Sequence, residues 1–219
     1  MAINTNYLCC LDFETGNADK YNAIPLELAA EMIDPRTLRR IEGANFHTLI
    51  KPHCGWKGVE AKALEINKID KDEVDKKGLE EKVAFDNFTQ FIRKYTQGNK
   101  WKAPIMCGFN IEGFDRIIMD KLCIKYNYVD KDGAQKLFHP RDTFDLMKIG
   151  LTWFENLPEP DKYNLNAFRE FFGISTDGAH RALKDVEDTT DMLCRFLLFH
   201  RKVNEKNKPQ FKGSFARSC

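Results

Sequence analysis

The chain has almost no excess of either charge: 34 Lys and Arg stand against 33 Asp and Glu in 219 residues. Bulk attraction to a polyanion is therefore excluded as the main source of affinity. Any phosphate backbone has to be held locally or through metal ions. No apolar run is long enough to span a bilayer, and the first residues lack the basic-then-apolar order of a secretion signal. No membrane association and a soluble, cytoplasmic setting with reduced thiols are expected. None of the 7 cysteines lies in a C-x-x-C pair, which removes the commonest structural zinc signature. Cys9, Cys10, Cys107 and Cys194 sit in apolar surroundings and read as small core residues. His53-Cys54 has the composition of half a zinc site, but no second half follows at a suitable spacing. There is no internal repeat and no low-complexity linker, so residues 1–200 read as one domain and 201–219 as a basic tail. In that tail Arg201, Lys202, Lys206, Lys208, Lys212 and Arg217 face Glu205 alone. It is either a solvated end or an electrostatic aid to a phosphate backbone.

What is present is an alternation of apolar runs and helical patterns. Tyr7-Leu8-Cys9-Cys10-Leu11 reads as a buried central strand stopped by Gly16. Ile24 to Asp34 predicts a second strand closed by Asp34-Pro35, and Asn45 to Lys51 a third, with Arg39 and Arg40 in the connection between them. Three strands so close together predict an antiparallel meander. The charged stretch from Pro52 to Val83 carries Trp56, either a base-stacking platform or a cap on the core edge. Val83 to Tyr95 predicts an amphipathic helix with Ala84, Phe85, Phe88, Phe91, Ile92 and Tyr95 on one face. Ala103 to Phe109 reads as a fourth strand, with Asn110 as N-cap of a helix to Tyr126. Lys136 to His139 reads as a fifth strand, Asp142-Thr143 as the start of a helix, and Leu165–Phe172 and Asp185–His200 as further helices. The sum is an α/β fold, a mixed five-stranded sheet (three-strand meander plus two further strands) flanked by helices.

Acids recur in that framework beside apolar stripes. Asp12 and Glu14 share one face of the first strand, roughly 7 Å apart along the backbone. Taken alone they are either a solvated pair or half of a metal site. Asp115 flanks the stripe Phe114, Ile117, Ile118 and Leu122, where helix-dipole stabilisation is the simplest single-residue account. Asp185 flanks Val186, Leu193 and Leu197, and His180 precedes it on the loop after Gly178. Together, four carboxylates from separate elements with one histidine offer hard oxygen ligands suited to Mg²⁺ or Mn²⁺. Such a set can hold two ions about 3.5–4 Å apart for in-line phosphodiester displacement. Asp142, Asp188 and Asp191 are nearby acids explained by a helix start, solvent exposure or salt bridging.

Asp12-x-Glu14, Asn110-x-x-x-Phe114-Asp115 and His180-x-x-x-x-Asp185 occur in the order and spacing of three motifs. In them the chain resembles the DEDDh-type 3′–5′ exonucleases, of the DnaQ-like branch of the ribonuclease H-like superfamily. Asp142-Thr143 and the run Asn164 to Ile174 resemble that family too, so the likeness spans residues 6–200. Many members read D-x-E-T-T-G, and this chain is shorter by one Thr at Glu14-Thr15-Gly16. The resemblance implies a ribonuclease H-like fold and release of nucleoside 5′-monophosphates from the 3′ end of single-stranded nucleic acid, DNA expected, in repair or proofreading. It implies two Mg²⁺ or Mn²⁺ ions. Asp12 would bridge them, Glu14 and Asp185 would complete the water-activating site, and Asp115 would hold the second ion. His180 would take the proton, as a side chain of ordinary pKa ~6.5 can near neutrality. Thr15, Asn110 and Phe114 would seat the terminal nucleotide. A polymerase or replication protein stands open as a partner. The alternatives are an exoribonuclease that trims short RNAs, and a catalytically silent nucleic-acid-binding module on the same fold.

Overall fold

The computed structural model describes the backbone of residues 5–211 and side chains as far as residue 206. Of the basic tail, Lys212 and Arg217 lie outside the described residues, as does the side chain of Lys208. The sheet is built from β1 (Leu8–Thr15), β2 (Pro25–Asp34), β3 (Arg39–Lys51), β4 (Leu79–Glu80), β5 (Ile105–Gly108) and β6 (Thr143–Asp145), laid side by side in the order β4-β3-β2-β1-β5-β6. β1 lies inside it, antiparallel to β2 and parallel to β5. β2 pairs in turn with β3, completing the expected meander. β3 begins at Arg39, earlier than the apolar alternation indicates, because Arg39 and Arg40 pair with Asp34 and Ile33 across the turn. β4 and β6 close the edges, so the mixed sheet has six strands where five are read from the sequence.

Side chains alternate along β1, and each set builds its own core. Cys9, Leu11 and Phe13 pack with Phe85, Phe88 and Ile92 of α3 (Glu81–Arg93) and with Ile118 and Leu122 of α4 (Asp115–Lys125). Leu8 and Cys10 pack on the opposite face, against α5 (Leu146–Phe154), α6 (Leu165–Phe171) and α7 (Ala182–Phe211). The five described cysteines other than Cys54 are buried free thiols. Two short helices, α1 (Ala61–Asn67) and α2 (Lys71–Lys77), cover a third cluster of Ile24, Leu26, Leu49, Leu64, Ile69 and Val74. Trp56 packs on its edge while its Nε1 donates to Asp75 (3.0 Å), so its role is the core-capping one. Among the described residues no helix is long and apolar enough to cross a membrane.

Three local readings are corrected. Lys136–His139 is not a strand: Gln135 Oε1 accepts the N–H groups of Leu137 (2.7 Å) and Phe138 (2.8 Å), and the His139 N–H goes to the Pro104 carbonyl (2.9 Å). Leu137 and Phe138 are buried by that irregular turn, which an apolar run alone does not distinguish from a strand. Asp142-Thr143 leads into β6, not a helix; the N-cap is Asp145, whose side chain accepts from Met147 N–H. Asn110 is not the N-cap of α4. It takes a left-handed φ of +56° and opens a turn through residue 114, while α4 starts at Asp115.

Gly150 in the middle of α5 allows α6 to approach. A Cβ there would overlap the ring of the fully buried Phe168. Gly150→Ala is expected to cost about 1–3 kcal/mol through overpacking, read as a lower urea midpoint with an unchanged m-value. A midpoint at or above wild type would contradict the packing described.

Candidate active site

The face of β1 that turns Leu8 and Cys10 toward α7 also turns Asp12 and Glu14 there. The first turn of α7 carries Asp185 to the same place. One carboxylate oxygen each from Asp12, Glu14 and Asp185 lie within 4.8 Å of one another. Asp115 comes from the opposite layer. It is 4% exposed, and its Oδ1 accepts the Phe13 N–H at 2.9 Å, between the two acids of β1. It stands outside the 4.8 Å set, yet its repulsion on Asp12 is the largest of any carboxylate's. His180 sits on the loop before α7 with a left-handed φ of +64°, following Gly178 at +81°. Its N–H donates to Asp185 Oδ1 at 3.2 Å. Asp185 and His180 line one cavity of about 550 Å³ with Lys162, Asn164, Asn166 and Arg169.

The three residues expected at the nucleotide terminus border this site less directly. Thr15 is buried, its hydroxyl donating to the Asn17 carbonyl (2.6 Å) and its own carbonyl accepting from Asn67 (3.0 Å). Asn110 is half-buried, its side chain pressed beneath Gly113, and its N–H donates to Asp145 (3.0 Å). Phe114 is half-buried on the α4 core, one residue before Asp115.

Burial is the leading cause of every shift in the cluster. It pushes Glu14 up to about 8, with repulsion from Asp185 and Glu27 adding to it. It pushes Asp115 up to about 7, against the Phe13 N–H bond that holds it down. Asp12 keeps some exposed surface, but desolvation and then Asp115 and Glu14 raise it well above the ordinary carboxylate range. Asp185 is raised by burial although Arg169 and His180 lower it. Buried carboxylates facing one another either keep protons or take up cations. Clustered hard oxygens and no sulfur ligand fit a divalent ion of the Mg²⁺ or Mn²⁺ kind.

Two residues of the site escape a reading of the sequence. Arg169 has no exposed surface. Its guanidinium donates to Asp185 Oδ1 (2.7 Å), Asp188 Oδ2 (2.7 Å) and Asn166 Oδ1 (2.8 Å). A signal exists: Leu165, Phe168, Arg169 and Phe172 follow the i, i+3, i+4, i+7 stripe of a buried helix face, and Arg169 falls on it. Glu27 is the second. It is fully buried, lies opposite Glu14 in the β1–β2 register, and contacts His47 (2.7 Å) and Arg181 (3.5 Å). Asp188 and Asp191 have the salt bridges expected of them, Asp188 with Arg169 and Lys184 (2.6 Å) and Asp191 with Arg40 (2.7 Å). His53 faces the buried Glu81 at 3.3 Å.

A mixed sheet with an acid pair on its interior strand and two helix-borne acids closing over the strand end defines a class, and the family comparison agrees with it. The chain belongs to the RNase_T exonuclease family, whose profile matches residues 9–193, and it has the ribonuclease H-like fold. No curated protein sequence matches it. Among solved structures it is similar to Escherichia coli exonuclease I in complex with a dT13 oligonucleotide, with a TM-score of 0.71 at 19% identity over 96% of this chain and 43% of that one. It is similar also to exonuclease I of Methylocaldum szegediense (TM-score 0.67, 20% identity, 87% of this chain and 40% of that one). Cell-death related nuclease 4 gives a TM-score of 0.67 at 16% identity, covering 89% of this chain and 64% of that one. The chain thus spans less than half the length of the exonuclease I chains it matches.

The direction of these shifts sets a pH dependence. Carboxyls whose folded pKa is raised bind more protons when folded than when unfolded. Their contribution is complete below the unfolded values near ~4 and is lost as pH rises through the folded values, about 7 for Asp115 and about 8 for Glu14. The metal-free protein is therefore expected to melt several degrees lower at about pH 8.5 than at about pH 5.5. Mn²⁺ is expected to restore more of the melting temperature at the higher pH. A metal-free melting temperature that rises over this range would contradict the cluster described. Arg169→Met removes the shared partner of Asp185 and Asp188, for an expected loss of about 3–5 kcal/mol in urea unfolding. A loss below about 1 kcal/mol would show that the guanidinium is dispensable.

Proposed function

We propose that this chain is a 3′–5′ exonuclease that releases nucleoside 5′-monophosphates from single-stranded DNA with two divalent ions, Mg²⁺ or Mn²⁺. The observation that carries the reading is the convergence of Asp12, Glu14 and Asp185 within 4.8 Å, with Asp115 bonded to the strand between the first two. When bound, such ions acidify an attacking water and neutralise charge on the scissile phosphate. Asp12, Glu14 and Asp185, with Asp115 from the α4 side, would hold the ions, Asp12 standing among the other three acids. Arg169 and the His180 N–H both occupy Asp185 Oδ1, which leaves Oδ2 without a protein donor among the described residues. The His180 ring takes the proton of the attacking water. Its place on a loop held to Asp185 through its own N–H keeps base and metal ligand in fixed relation. Thr15, Asn110 and Phe114 seat the terminal nucleotide. Thr15 and Asn110 are held by hydrogen bonds before any substrate arrives, so little ordering is left to do on binding.

The solved relatives support a single strand as substrate: exonuclease I of Escherichia coli has been crystallised with dT13 and dA16 oligonucleotides, and with zinc and single-stranded DNA. A silent binding module on this fold is disfavoured, since all four acids and the histidine are in place.

The test is digestion of a 5′-labelled single-stranded DNA in Mg²⁺. A ladder shortening from the 3′ end is expected for wild type and none for Asp12→Ala. His180→Ala is expected to lower kcat by about 10²–10⁴-fold while the Mn²⁺-dependent gain in melting temperature persists. Wild type and Asp12→Ala behaving alike would overturn the reading, and loss of the Mn²⁺ gain in His180→Ala would make His180 a ligand in place of a base. A matched RNA strand is expected to be the poorer substrate; the reverse preference would favour the exoribonuclease.

A further inference from the structure

The loop that follows β1 and the outer part of α4 enclose a groove that the acid cluster does not use. Its volume is about 450 Å³, and Lys20, Tyr21, His53, Ile118, Lys121 and Lys125 line it. Ile118 shares with Asp115 the buried face of α4 and lies three residues on, so the groove opens one helical turn from an acid of the site. From Ile118 to Lys125 it follows the helix for about 10 Å.

The loop is held in shape before anything binds. Asp19 accepts from the Tyr21 N–H (2.9 Å) and from the Asn22 side chain (2.8 Å), and Asn17 donates to the Asn22 carbonyl (3.0 Å). Tyr21 projects from it 61% exposed, among the most exposed large side chains of the fold. The ammonium groups of Lys20 and Lys121 each stand 5.4 Å from its ring centroid, and Lys121 also donates to the Tyr21 carbonyl. Among the described residues neither ammonium forms a close ion pair, and Lys121 acts on the Asp19 carboxylate of the loop only at longer range. Lys125 and His53 differ, because both face the buried Glu81 on the groove floor.

An exposed ring with ammonium groups beside it that form no close ion pair is the chemistry of single-strand binding: bases stack on the ring and phosphates meet the cations. The geometry points to this groove as the seat of the nucleotides on the 5′ side of the one being removed, with Tyr21 as the stacking platform and Lys20 and Lys121 as phosphate contacts. The inference rests on the exonuclease reading above. A base laid on Tyr21 displaces the Lys20 ammonium from the ring onto the adjoining phosphate, whereas Lys121 stays tied to the loop carbonyl. Only an unpaired, unstacked base offers a free face to the ring, so the groove selects single strands although the chain as a whole is nearly neutral.

The test compares the full chain and its variants on 5′-labelled dT12 and on the 4-nitrophenyl ester of thymidine 5′-monophosphate, which has no nucleotide on the 5′ side. Tyr21→Ala and Lys121→Glu are each expected to raise KM for dT12 about ten-fold. Both should hydrolyse the ester as wild type does, and Tyr21→Phe should restore wild-type KM for dT12. Wild-type KM for dT12 in both variants, or equal loss on dT12 and the ester, would overturn the groove. If wild type digests neither compound, the exonuclease reading fails, and the groove is judged on binding alone. Fluorescence anisotropy with labelled dT12 in Ca²⁺ then shows about ten-fold weaker binding in both variants, or unchanged binding, which overturns it.

Discussion

Repulsion between buried carboxylates is the constraint on which this molecule is arranged. Two unit charges ~5 Å apart at an effective dielectric of ~20 repel by roughly 3 kcal/mol, and a domain is stable by only about 5–15 kcal/mol in all. A cluster in which three acids lie within 4.8 Å, with Asp115 beside Asp12, cannot stay fully ionised on protein contacts alone. The partial offsets are specific: the Phe13 N–H on Asp115, and Arg169 with the His180 N–H on Asp185. Among the described residues no donor is bonded to the Asp12 carboxylate, which is raised by burial and then by Asp115, Glu14 and Asp185. The remainder falls to protons or to divalent ions, which couples the stability of the fold to both.

Each part of the architecture answers to that cluster. The alternation of β1 separates acids from core, with Asp12 and Glu14 toward α7 while Leu11 and Phe13 enter the α3–α4 layer. The helix layers then bring Asp115 from one side and Asp185 from the other, so a cation between them would join the two halves of the core. An outer ring of fixed charge surrounds the acids. Arg169 is locked between Asp185 and Asp188, and Arg181 leans on Glu27, the register partner of Glu14. His180 immediately precedes Arg181, and its N–H is bonded to Asp185, so one short loop carries contacts to both the outer charge and the acids.

Much of this was legible in the residues. Alternation in Leu8–Phe13, the stripe through Ala84, Phe85, Phe88 and Phe91, and the ordered spacing of the three acid motifs are local patterns, and local patterns survive folding. The misreadings share one cause. Leu137-Phe138 is apolar because it is buried, but it is buried under a Gln135-centred turn, and hydropathy reports burial without conformation. Asn110 has the chemistry of an N-cap, but its N–H goes to Asp145, 35 residues away, which no local pattern contains. Asp145 also displaces Asp142 as the start of α5, because residues 143–145 pair with β5, some 37 residues earlier in the chain, before the helix begins. Arg169 was the residue most open to being found, since it breaks an otherwise apolar helix stripe.

A metal-free cluster that holds protons has to release them when divalent ions take their place. Titrating Mn²⁺ into the protein by calorimetry, in buffers of different ionisation enthalpy at about pH 7, counts the protons released per protein. Release of about one proton or more, falling toward none as the pH is raised past the Glu14 value of about 8, is the result expected. Binding of Mn²⁺ with no proton release at any pH would contradict the account, because the acids would then be ionised and stable without the ion.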